Sequence, residues 1–73
     1  MNKFLDCNGD VIYVRNYIYH PDHPNYMFVV VGLDFNTGFA IMKHVKWPAR
    51  QYDTLEASAQ DLSKMMLKPR YNQ

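Results

Sequence analysis

The stretch YMFVVVGLDFNTGFAIMKHVKW, Tyr26 to Trp47, decides the fold. Two apolar, β-rich runs flank Asp34-Phe35-Asn36-Thr37-Gly38, which reads as a type I turn closed by a left-handed glycine. In the first run Met27, Val29, Val31 and Leu33 alternate with Tyr26, Phe28, Val30 and Gly32. Apolar residues on both parities predict a central strand covered on both faces. Gly32 marks a bulge or a close approach. The return run alternates Phe39, Ile41, Lys43, Val45 and Trp47 with Ala40, Met42, His44 and Lys46, and Pro48 stops it.

Upstream, Asn8-Gly9 is a strong hairpin signal, because both turn positions must accept positive φ. A two-residue loop pairs Cys7 with Asp10, Leu5 with Ile12 and Phe4 with Tyr13. Leu5, Ile12, Val14 and Ile18 then form the core face. Phe4, Tyr13, Arg15, Tyr17 and Tyr19 form the other, either half-buried or a recognition surface. His20-Pro21-Asp22-His23-Pro24-Asn25 reads as a loop, since two prolines remove two backbone donors. Two histidines and an aspartate suggest a metal, but no second ligand cluster accompanies them, and an exposed loop, a pH-sensitive loop or a partner contact also fits.

Residues 53–68 carry the helix signal. Asp53 with Glu56 resembles a capping box, and Leu55, Ala59, Leu62 and Met66 recur on one narrow stripe. That stripe is too weak to stand alone, so the helix must dock on the sheet or fray. Met65, Met66 and Leu67 either pack in the core or form an adaptable contact patch. Residues 69–73 read as a disordered tail. The expectation is therefore one α+β domain over 1–68: a small antiparallel sheet of about four strands from two hairpins (1–47), with one C-terminal helix loosely packed on it.

At 73 residues there is room for one small core. Hydrophobic residues make up 48% and charged residues 21%, which excludes a disordered chain. The 15% aromatic share is high enough that some rings must reach the surface. Net charge is only +1, but it is unevenly placed. Residues 1–37 hold Lys3 and Arg15 against Asp6, Asp10, Asp22 and Asp34, whereas residues 38–73 are basic. Cys7 is the sole cysteine, which excludes an internal disulfide and a Cys-rich zinc site. A partly buried structural thiol is the ordinary reading. No apolar leader or membrane-length run is seen, so a soluble, unprocessed, intracellular protein is expected.

No nucleophile stands beside a base: Ser58 and Ser63 lie in the helical stretch, and no Gly-rich phosphate loop occurs. The expectation is a non-enzyme with no cofactor or metal. The segment Lys43-His44-Val45-Lys46-Trp47, extended by Arg50 and Tyr52, mixes cations and rings. It reads as a plain strand end, a protein contact or a nucleic-acid contact. The candidate partner-binding residues are Asp6, Asp10, Tyr13, Arg15, Tyr17, Tyr19, Lys43, Lys46, Trp47 and Arg50. Two functions compete: a protein-binding regulator, and a small β-barrel that binds nucleic acid, which the near-neutral charge disfavours.

The length of the whole chain and its opening MNKFLDCNGDVIYV (1–14) resemble the p-seven-type transcription inhibitors and antiterminators of lytic Xanthomonas oryzae bacteriophages. The resemblance implies a phage regulator in the cytoplasm of an infected bacterium, and a monomer is expected when it is free. It implies binding to host RNA polymerase at the β′ N-terminal segment, near the β flap and RNA exit channel. Sigma-dependent initiation would be inhibited and termination suppressed. No residue role is implied by it.

Overall fold

The structure, a computed structural model, describes residues 2–45 and 54–69. Five strands and one helix follow in order: β1 Tyr17–His20, β2 His23–Asp34, β3 Phe39–His44, β4 Leu55–Ser58, α1 Ala59–Leu62 and β5 Met66–Leu67. The sheet order is β4-β3-β2-β1-β5, with every neighbouring pair antiparallel. The expected α+β class and the central hairpin are present, but three other elements are drawn differently.

The first difference is the N-terminal hairpin. Its turn holds three residues, not two: Leu5 bridges Val11, the Asp6 amide donates to Asp10 O (2.9 Å) and the Ile12 amide to Phe4 O (2.9 Å). The reason is Asp6. Its Oδ1 accepts from the Asn8 and Asp10 amides at 2.9 and 2.8 Å, which closes the wider loop. Gly9 completes it with φ of +82°. One residue of register inverts the faces. Ile12 stays in the core as expected, but Phe4 is now the buried residue beside it and Leu5 is exposed; Val14, in the turn that follows, is exposed as well. The segment then turns at Tyr13–Asn16, where Arg15 adopts φ of +81°, so it joins no long ladder.

The second difference is the histidine loop. β1 ends at His20 and β2 begins at His23, leaving only Pro21 and Asp22 between them. The register jumps from Tyr19–Met27 to His20–His23, so Pro24, Asn25 and Tyr26 arch out of the ladder. Pro24 has no N–H to lose there.

The third is the helix. Leu55–Ser58 is an edge strand on β3, and the helix is one turn, Ala59–Leu62. Ser58 and Asp61 form its capping box: the Asp61 amide donates to Ser58 Oγ and the Ser58 amide to Asp61 Oδ2, both 3.1 Å. A short, narrow apolar stripe cannot sustain a long helix in water, whereas pairing with β3 satisfies the backbone at once. Glu56 thus lies in a strand; the expected cap at Asp53 and the tail at 70–73 lie outside the described residues.

The core occupies one side of the sheet. Ile18, Val30, Ala40, Met42 and Ala57 meet Phe4 and Ile12 from the N-terminal segment and Leu62 and Met65 from the α1 region. A bulge between Val30 and Gly32 adjusts the inward set. Val30 opposes Met42, and beyond the bulge Leu33 opposes Ala40. The extra residue brings Leu33 to the core side, where it packs against the cluster. A Cβ added to Gly32 would sit 3.7 Å from Ile41, an ordinary contact, so the bulge needs no close approach.

Asp34 repeats the Asp6 device in the second turn. The Asn36 and Thr37 amides donate to its Oδ1 at 2.9 and 3.2 Å. These bonds, Thr37 first and Asn36 second, hold its carboxyl below the ordinary aspartate range. Gly38, at φ of +78°, supplies the expected left-handed closure.

Two stability outcomes are expected. Asp6→Ala should cost about 2–4 kcal/mol in urea unfolding, because three amides lose a charged acceptor. Gly32→Ala should be neutral or stabilising by up to about 1 kcal/mol, since the site has room and lies within a strand.

Candidate functional site

Strand alternation places a second set of residues on the side away from the core. The register assembles them into cross-strand rows: Met66–Tyr19–Met27, Tyr17–Val29–Lys43, Gly32–Ile41–Glu56 and Asp34–Phe39–Ser58. This outer face is substantially apolar. Tyr17, Phe39 and Ile41 are exposed by 45%, 43% and 37%, and the bulged Val31 by 41%. Tyr19, Met27, Val29 and Lys43 are half-buried. The expectation that β2 is covered on both faces therefore does not hold among the described residues.

The face has defined chemistry. The Tyr19 hydroxyl lies 3.0 Å from Met66 Sδ, which ties β1 to β5 across the row. Tyr17 and Lys43 flank Val29, so a ring and a cation share one row. Lys43 and Glu56 occupy adjacent rows on this face. A large apolar area edged by a few charges is the composition of a protein contact surface.

The sequence-nominated residues separate into groups. Tyr17, Tyr19 and Lys43 come together on the outer face. Tyr13 and Arg15 are exposed in the turn that precedes β1. Asp10 is exposed in the first turn, with its backbone committed to Asp6. Asp6 is a correction: it is 4% exposed, and its carboxylate is spent on three backbone amides, so it is not presented to a partner. Lys46, Trp47 and Arg50 lie outside the described residues. Cys7 is exposed, not partly buried as expected.

Met27, Val29, Phe39 and Ile41 were missed as site residues. Their apolar character made them resemble core, and only the one-sided placement of α1 and the N-terminal segment shows otherwise. Among the described residues, no group of three or more His, Cys, Asp or Glu could hold a metal ion. None of their helices is long and apolar enough to cross a membrane.

Compared with protein-family models, curated proteins and solved structures, the chain matches none.

Exposure separates the two faces energetically. Tyr17→Thr or Ile41→Thr should change unfolding free energy by about 1 kcal/mol or less, because threonine suits a strand and little burial is lost. Ile18→Ala, on the fully buried side, should cost about 2–5 kcal/mol in the same chemical denaturation series.

Proposed function

We propose that this chain is a non-enzymatic regulator that works by docking the outer face of its sheet on a larger protein. The observation that carries the reading is the concentration of Tyr17, Tyr19, Val29, Ile41 and Lys43 on the face of the sheet opposite the core. Rings and apolar side chains supply desolvated anchors, and Lys43 and Glu56 supply orientation at the rim. Such a protein needs no chemistry of its own: it acts by occupying a surface that another factor requires.

The partner we propose is bacterial RNA polymerase, from the resemblance to the phage p-seven-type inhibitors. Contacts at the β′ N-terminal segment, near the β flap and RNA exit channel, would obstruct sigma-dependent initiation and suppress termination. The site of action is then the cytoplasm of an infected bacterium. The rigid two-layer core supports this mode, because a pre-organised sheet face loses little entropy on docking.

The experiment is capture of purified RNA polymerase by the immobilised chain, with titration of the variants. Wild type should retain the enzyme. Tyr17→Ala combined with Lys43→Ala should weaken binding by about tenfold or more, with little change in the thermal unfolding midpoint. Failure of the wild-type chain to retain polymerase would remove this partner. Salt-sensitive binding to nucleic acid instead would favour the small β-barrel nucleic-acid reading.

A further inference from the structure

Among the described residues, Arg15 is the one non-glycine with positive φ, at +81°. Left-handed backbone crowds an L side chain against its own carbonyl, so glycine or asparagine usually takes such a place. An asparagine stands next to it, but Asn16 has another task. Its Oδ1 accepts from the Tyr13 amide at 2.8 Å, and its own amide donates to Tyr13 O at 3.0 Å. The Arg15 amide donates to Val30 O at 2.7 Å, and the Val30 amide to Asn16 O at 2.9 Å. These bonds pin the turn to β2 and hold Arg15 in a conformation that its own side chain resists. That side chain gives nothing back to the fold. Arg15 is exposed, and its guanidinium has no ion pair or hydrogen bond among the described residues.

We propose that the Tyr13–Asn16 turn presents Arg15 to a carboxylate on an acidic protein partner, a role that rests on the docking of the outer face proposed above. The turn is continuous with that face. Tyr13 is 64% exposed and Val14 45%, and Tyr17 follows Arg15 by two residues. Val30, which holds the Arg15 amide, leads directly into the exposed, bulged Val31.

Three considerations select the ligand. First, a guanidinium is a planar donor fork that matches a carboxylate, and arginine and tyrosine are the side chains that most often anchor protein contacts. Second, Lys43 shares the row of Tyr17, so a cation in that row and another two residues before Tyr17 both call for an acidic patch on the partner. Third, a nucleic-acid backbone needs several cations together, whereas residues 1–37 hold only Lys3 and Arg15 against Asp6, Asp10, Asp22 and Asp34. The strain has a use in this setting. An arginine on a loose loop loses backbone freedom when it docks, and one pinned by the bonds to Tyr13, Asn16 and Val30 has already lost it.

The test pairs stability with binding in the full chain. In urea unfolding, Arg15→Gly should raise the folding equilibrium constant about twofold to fivefold, because glycine relieves the left-handed strain by more than it adds freedom to the unfolded chain. The stabilised variant should bind worse. In an NMR titration at low salt, a capped oligoglutamate peptide should shift the amides of residues 13–17 in one saturable curve, and should bind more tightly than oligouridylate. Arg15→Gly should weaken that binding about fivefold to tenfold, and so should Arg15→Asn, which accepts the left-handed region and keeps a polar side chain. Retention of RNA polymerase should fall by a similar factor. If Arg15→Gly retains polymerase as wild type does, this proposal is overturned while docking through Tyr17 and Lys43 stands. If wild type retains no polymerase but binds oligoglutamate at this turn, the polymerase reading falls and this one is supported. The proposal is also overturned if Arg15→Gly lowers stability, if both variants bind the peptide as wild type does, or if oligouridylate binds more tightly than oligoglutamate.

Discussion

The carboxylate of Asp6 is the constraint on which the fold depends. It is buried and accepts amides from Asn8, Asp10 and Leu67. Two of those bonds close the first turn, and the third reaches the last strand, across nearly the whole length of the chain. A second tie, from the Cys7 amide to Met65 O at 2.7 Å, runs alongside. A buried carboxylate is costly unless its oxygens are satisfied, and here donors from two separate segments must both be in place. Local turn and global closure are thus one event. The same turn sets the register that sends Phe4 inward, where its ring meets Phe35 at 5.3 Å and supports the central hairpin's turn.

Among the described residues, the covering elements lie on one side of the sheet. The N-terminal segment, α1 and Met65 fill the inner side, while Tyr17, Val31, Phe39 and Ile41 are left exposed on the other side. The bulge at Val31 makes this division workable. It recruits Leu33 to the core without asking Asp34 to follow, and leaves Val31 outside. The consequence is a stable inner layer with an apolar outer face, and that combination is the basis for reading the molecule as a docking module.

The central hairpin was legible because its signals are local. Alternation, the Asp34 turn and the left-handed Gly38 all act within a few residues. Gly32, read as marking a bulge or a close approach, does lie beside the bulge at Val31. The first turn misled because Asn8-Gly9 suits a two-residue loop, and nothing in the sequence shows that Asp6 will be buried under Leu67. Leu55–Ser58 misled because its partner, β3, lies across the intervening segment from it. Helix periodicity is visible locally, whereas a strand's ladder is a tertiary fact. The outer face was only half legible. Tyr17, Tyr19 and Lys43 stood out by type, but Val29 and Ile41 have core-like side chains, and their exposure depends on what fails to cover them. That His44 meets the rings of Tyr26 and Phe28 could not be read from spacing, since it needs the Phe28–His44 register.

If recognition runs through the outer sheet face, amide hydrogen exchange of the chain, free and bound to bacterial RNA polymerase, will register it there. Protection gained on binding should concentrate in β1 and β3, around Tyr17, Tyr19, Ile41 and Lys43, with α1 and the Asp6 turn unchanged. Protection confined to α1, the Asp6 turn or Tyr13, with β1 and β3 exchanging as in the free chain, would contradict it.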